Sequence, residues 1–356
     1  MNPHFLLIFS TLFYITAQGQ TLDQYTADTL NELGRIDKSI QHDHHIYTGG
    51  MSLDNRSPQA VIRKLDTLGQ VLWYTSEKDT LTPPDMPRCV ALQHKGDGFI
   101  YAIFTFSNSP SSFFQIWKVD ASNGDIVYKT TKSHNGYAHF SNLHPYGKDT
   151  LIFLYADGNS SPLNLNVLET SSGKIVQSLD LGVVYESRYE LTTDHKHDIF
   201  YAKRDTIFNI SLHNGLTRKW SYIATGRDYS VISHLHFDTT DGGLYCFGEF
   251  QPHIPEVFIQ KIDPSTGRLI WNQALPQFKE HYFATASFFG QHIYSTWRVS
   301  NSGLADIGVA KLDKQSGTIA WAHRHRYIGN VPQEQTFDAI CVTTGGVYLT
   351  GYYAVG

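Results

Sequence analysis

Histidine is the residue type that first invites chemistry in this chain, with 18 copies among 356 residues. The densest group is His42-Asp43-His44-His45. Neighbours on an extended chain alternate sides, so His42 and His44 could offer two imidazoles on one face. Zinc would need further ligands from elsewhere and a hydrogen-bonded outer shell. His195-Lys196-His197 and His234-Leu235-His236 repeat the same alternation. His323 and His325 alternate with Arg324 and Arg326 behind Trp321 and read as a wet rim. Solvent-exposed turn residues are the plainer reading of these groups. The chain has no G-x-S-x-G elbow, no H-E-x-x-H helix and no G-x-x-x-x-G-K phosphate loop. No metal and no cofactor are therefore expected.

The elements that would carry such residues show themselves through a repeat. A strand runs into Lys-apolar-Asp, a short turn with Gly, and apolar residues ending in an aromatic. It reads V-I-R-K-L-D-T-L-G-Q-V-L-W over Val61–Trp73, and Q-I-W-K-V-D-A-S-N-G-D-I-V-Y over Gln115–Tyr128. It returns over Phe258–Trp271 and Val309–Trp321, with degenerate copies around Glu169 and His213. The Asp position steps by about 49 residues, the period of a four-stranded propeller blade. A second marker, a Gly/Asp-rich turn followed by an apolar and an aromatic residue, occurs seven times, from Ile46-Tyr47 to Val347-Tyr348. Asp at the head of such a turn accepts amide hydrogens two residues on, and Gly takes the positive φ that closes it.

These two markers predict an all-β, seven-bladed β-propeller of four-stranded antiparallel blades. The expected blades are about 35–76, 88–132, 137–179, 188–223, 229–275, 282–324 and an incomplete 336–356. Trp73, Trp220, Trp271, Trp321 and Tyr128 occupy matching places on the last strands and are expected to wedge between blades. Unpaired sheet edges are avoided. Closure is therefore expected either from Leu22–Gly34 returning as an outer strand or, the preferred reading, from sequence beyond Gly356.

Propellers present loops around the ends of their channel. Here the segments leading into each blade's first strand are polar, and the candidate binding residues are Arg88, His134, His139, Arg188, Arg227, Asp228, His281 and Glu334. Glu186, Lys279 and Glu280 accompany them, and loops at Ser107–Ser112 and Gln251–Glu256 enlarge the same face. The ordinary alternative is that loops are polar because they are wet.

The hairpin with Asp263, Thr266, Gly267 and Trp271, and its copy with Asp313, Ser316, Gly317 and Trp321, resembles the tryptophan-docking repeat of quinoprotein (pyrroloquinoline quinone) dehydrogenase-like propellers. The resemblance implies blade geometry. It does not carry the enzymes' site across, since those propellers have eight blades and a vicinal Cys-Cys pair. Here Cys89, Cys246 and Cys341 stand far apart, and no motif matches the calcium ligands or the catalytic Asp. The resemblance thus points to the non-catalytic, exported bacterial relatives.

Composition agrees with strands, for 13% of residues are aromatic and only 17% are charged. A net charge of -5 without a basic stripe argues against nucleic acid. Phe5–Ala17 is almost wholly apolar and precedes Ala17-Gln18-Gly19, so residues 1–19 read as a signal peptide cleaved after Gly19. That run is too short to span a bilayer, and no transmembrane segment is expected. Three separated cysteines make no disulfide framework, though one bridging pair remains open. Asn55, Asn159 and Asn209 head glycosylation triplets.

The sequence thus predicts an exported, monomeric, non-enzymatic propeller that binds a protein or carbohydrate through its channel-end loops. The alternative is an enzyme with its site at the channel, either a metal-dependent hydrolase or lyase or a quinone-type oxidoreductase.

Overall fold

Strand-forming runs separated by Asp/Gly turns fold here into successive antiparallel sheets, as a computed structural model of the chain shows. It describes residues 7–15, 22–23, 34–54, 57–66, 70–78, 87–106, 112–134, 138–158, 161–183, 189–212, 216–224, 230–250, 256–276, 281–299, 306–326, 335–342 and 347–355.

Six blades are each folded from consecutive strands. Blade one holds β3 (Gly34–His42), β4 (His45–Asp54), β5 (Ser57–Leu65) and β6 (Val71–Lys78). Blade two holds β7 (Arg88–His94), β8 (Phe99–Phe106), β9 (Ser112–Asp120) and β10 (Ile126–His134). In blade three the first strand is split into β11 (Ala138–Phe140) and β12 (His144–Tyr146), both paired with β13 (Thr150–Asp157). Its remaining strands are β14 (Pro162–Glu169) and β15 (Ile175–Val183). Blade four is β16 (Tyr189–Thr193), β17 (Asp198–Lys203), β18 (Thr206–Ser211) and β19 (Thr217–Ile223). Blade five is β20 (Ser230–Asp238), β21 (Gly243–Phe250), β22 (Glu256–Ile262) and β23 (Leu269–Ala274). Blade six is β24 (His281–Phe289), β25 (His292–Val299), β26 (Asp306–Asp313) and β27 (Ile319–Arg326).

The expectation of seven blades is corrected to six. The seventh copy of the turn marker introduces only a hairpin, β28 (Gln335–Val342) with β29 (Val347–Val355). A Lys-apolar-Asp hairpin is not what completes this sheet. Instead β29 pairs with β1 (Leu7–Ile15) and β1 with β2 (Leu22–Asp23), so this sheet is assembled from opposite ends of the chain. The turn marker counts first hairpins, whereas a blade needs the second hairpin as well, and that motif occurs six times. The strand paired directly with β29 is β1, and of the expected 22–34, Leu22–Asp23 joins the sheet as its outermost strand.

First strands of successive blades touch one another: β3 with β7, β12 with β16, β16 with β20 and β20 with β24. The strand β28 touches both β24 and β3, so the terminal sheet stands between blades six and one. First strands therefore line the axis and fourth strands face outward. Several first strands carry a bulge at the same place, between Ile36 and Lys38, Cys89 and Ala91, and Ile232 and His234. A bulge bends its strand and increases the local twist.

Apolar side chains fill the spaces between blades rather than a single centre. Tyr47 and Ile62 of blade one meet Ile100, Phe104 and Trp117 of blade two, and Phe104 packs on Trp117 at 4.7 Å. Equivalent layers separate blades two and three, three and four, four and five, and five and six. Fully burying one such large side chain stabilises the fold by roughly 1.5–3 kcal/mol. Cys89 and Cys246 are buried free thiols within these layers.

Candidate functional site

The repeat residues are used up in joining blade to blade. The Trp73 indole lies against the turn of Gly124 in blade two, where an added Cβ would stand 2.8 Å from the ring. Its Nε1 donates to the Ala121 carbonyl at 3.3 Å, and Lys64 Nζ donates to the same oxygen at 3.1 Å. Trp220 takes the same seat on Gly267, with Nε1 donating to Pro264 O at 2.9 Å. Trp271 sits on Gly317 and donates to Lys314 O at 3.2 Å, beside Lys261. Tyr128 covers Gly173 without an equivalent bond, and its hydroxyl is buried with no partner. The expected wedge role therefore holds for these four aromatics.

The turns themselves follow their chemistry. Asp120, Asp263 and Asp313 each accept the amide two residues on, at 2.8, 2.8 and 3.0 Å. These bonds hold their carboxyls below the usual range, led in the first two by the serine hydroxyls Ser122 and Ser265 and in Asp313 by the Ser316 amide. The second marker's tyrosines also have a task. Tyr101 donates to Asp97 at 2.8 Å and Tyr245 to Asp241 at 2.6 Å, tying the strand to its own turn.

Two copies of the motif depart from the pattern of the others. In blade four Asn209 stands opposite Trp220, as Lys261 stands opposite Trp271. The Asp position there is therefore Ser211 rather than His213. Asn209 is fully buried and donates to Pro264 O at 3.2 Å, which excludes it as a glycosylation acceptor in the folded chain. In blade three the corresponding pair is Val167 and Gln177, which offers neither an indole ring nor an ammonium.

What the repeat leaves over lies at the two ends of the channel. At the entry end, Arg88 opens β7 and is exposed, while His139 is half-buried on β11 opposite Ala156. His134 closes β10 but is buried, with Asp157 at 3.9 Å and Phe114 stacked on it, so its ring does not reach the rim. His281 opens β24. Arg188, Arg227, Asp228 and Glu334 lie outside the described residues, as do Glu186, Lys279, Glu280, residues 107–111 and 251–255, and Asn55 and Asn159.

The exit end is lined by histidine. Asp43 and His44 form the β3–β4 turn with positive φ and are exposed, but His42 is not a bystander, for its ring stacks on His94 at 3.5 Å. Burial and the neighbouring His42 push His94 down to about 4. His144, His195, His234 and His236 come from blades three, four and five, and His234 Nδ1 lies 3.3 Å from Glu190. Sequence reasoning missed His94 and His144, since a single histidine in a strand gives no pattern to notice. Among the described residues, no group of three His, Cys, Asp or Glu is placed to hold a metal ion. No described helix is long and apolar enough to cross a membrane.

Four-stranded antiparallel blades whose aromatic rings dock on the glycine turn of the next blade define a β-propeller scaffold. Solved structures similar to the chain share that fold at low identity. Saccharomyces cerevisiae Sqt1 is 9% identical, with 97% of this chain and 99% of that one covered at a TM-score of 0.52. The β-propeller domain of Myceliophteria thermophila Cps50 (Swd1) is 12% identical, with 91% and 100% covered at 0.52. Kuenenia stuttgartiensis hydrazine synthase is 13% identical, with 76% and 75% covered at 0.53. At such identities the likeness concerns the fold alone. No protein-family model and no curated protein matches the chain.

Proposed function

We propose that the chain is an exported, non-enzymatic propeller that binds a protein partner at the entry end of its channel. The observation that carries this reading is the division of labour along the sequence. Lys, Gly and Trp of the repeat are engaged between blades and its Asp within the turn, whereas Arg88 and His139 belong to no repeat position and stand where first strands begin. Exposed residues on a rigid frame are the ordinary place for recognition. The apolar run Phe5–Ala17 supports export, and the docking hairpins support kinship with quinoprotein-type propellers.

A photo-reactive residue at position 88, with position 127 on the outer strand β10 as control, would capture the partner. Position 88 is expected to cross-link and position 127 not. Replacing Arg88, His139, Arg188, Arg227 and His281 together by Ala is expected to weaken that complex about 100-fold or more, two or more contacts of roughly 1.4 kcal/mol each. Unchanged affinity in isothermal titration would discard the surface, and capture of a polysaccharide instead would assign the face to glycan.

A further inference from the structure

Four histidines from three blades gather around the exit half of the channel: His144 on β12, His195 in the β16–β17 turn, and His234 and His236 on β20. The inner strands are joined there by a thin seam. Thr193 Oγ1 donates to Pro145 O at 2.7 Å, linking blade four to blade three. The Phe237 amide donates to Thr192 Oγ1 at 3.1 Å, linking blade five to blade four. Both threonines are buried. The His236 ring stacks on Phe288 of blade six at 3.9 Å. His144 Nε2 is shut away from water and has no hydrogen-bond partner.

We propose that this junction is an acid-operated latch: the inner strands of blades three, four and five stay joined while His144 and His236 are neutral, and part when these two take up protons.

The neighbouring carboxylates are already engaged by other partners. Glu190 already faces His234. Asp238 is held by Lys314 and Thr240. Asp194 accepts the amides of Lys196, His197 and Asp198 at 2.8, 2.8 and 2.9 Å. Asp198 is paired with Lys219. The other facing groups, His195, His234 and Lys314, are basic and supply no counter-charge. Both rings are half-buried, and a charge placed in a partly closed seam without a free counter-charge is costly, so the fold favours the neutral form. Burial first, then His234, His236 and His195, push His144 down to about 3. Burial and His234 push His236 to about 3 against the opposing pull of Asp238.

The sign follows from proton counts. An unfolded or opened strand binds a proton near the ordinary 6.5, whereas the closed seam resists it until about 3. The stabilisation is complete above 6.5 and is withdrawn as pH falls towards 3. Between pH 7.5 and 5.0 each histidine moves the closed-to-open ratio about 30-fold towards opening. Opening is local because blade three's first strand is already broken into two three-residue pieces, each paired only with β13.

Hydrogen exchange of the full chain at pH 7.5 and 5.0, corrected for intrinsic rates, tests this. Peptides covering 138–158, 189–203 and 230–238 are expected to lose protection at pH 5.0 while 99–120 of blade two keeps it. The H144Q/H236Q variant is expected to hold its protection at pH 5.0, and H323Q on the outer strand to behave as the parent. Uniform loss in every blade, or opening of the double variant as in the parent, would overturn the latch. Should the double variant fail to fold, imidazole C2–H exchange in the parent reads each histidine directly. Midpoints below 5 for His144 and His236 support the proposal, and midpoints above 6 refute it.

Discussion

The seat of each tryptophan is a glycine, and the two residues can be weighed separately. Gly317 has a φ of 72° and an added Cβ would stand 2.7 Å from the Trp271 ring. Gly242 has a φ of 67° with nothing within 4 Å. Both should suffer on mutation to Ala from the left-handed backbone, about 1–2 kcal/mol. Gly317→Ala should lose at least ~1 kcal/mol more, because the indole must move, and urea melts of the two variants measure the difference. Trp271→Phe keeps most of the ring and removes the bond to Lys314 O, an expected loss of about 1 kcal/mol. Tyr128→Phe is the contrasting case. Its hydroxyl is buried without a partner, and its pKa is pushed up to about 12 by burial and then by Asp97. Removing it should change stability by less than ~0.5 kcal/mol or raise it slightly. At this scale much was legible beforehand, because a turn headed by Asp and closed by Gly is a local matter that six or seven residues settle among themselves. The His144 group was not, since its members are separated by up to two blades and only the ring brings them together.

Between elements, the junctions are unequal. Blades five and six share a buried ion pair: Lys314, in the β26–β27 turn, reaches back to Asp238 at the end of β20. Burial alone would raise the Asp238 carboxyl, but Lys314 and Thr240 more than offset it and hold it below the usual range. Lys314→Met should therefore cost roughly 3–5 kcal/mol by stranding a buried carboxylate, while the Lys314→Met, Asp238→Leu double variant should recover most of it. Thermal melts of both variants give the comparison. Blade three brings neither the lysine nor the indole to its junction with blade four, because Val167 and Gln177 stand in their places. Limited proteolysis at neutral pH should cut between them before it cuts between blades five and six. Here the sequence was readable only in part. The weak copies around Glu169 and His213 were visible as weak, but the two-residue offset that puts Asn209 in the lysine's place needed the strand pairing with Trp220.

For the molecule as a whole, the period of about 49 residues sufficed for the propeller, and it failed at the count. Counting turns gave seven because a first hairpin looks the same whether or not a second follows. What stands between blades six and one is a sheet drawn from both ends of the chain, and pairing across more than three hundred residues leaves no periodic trace. The export reading makes a concrete demand on this sheet. Removal of residues 1–19 would take β1 away from β29, so the intact mass of secreted protein should correspond to a start at Gln20, and a retained Met1 would refute cleavage.

The docking contacts among the described residues all point one way: blades one, two, four and five each lend an aromatic ring to a glycine of the blade after it. A polypeptide shortened from its tail therefore ends on a bare, greasy ring that has lost its cushion. One shortened from its head begins with an empty backbone saddle, which water can wet without penalty. Nested deletions from the two directions should accordingly differ in solubility, with tail-trimmed pieces clumping and head-trimmed pieces of equal size staying dispersed.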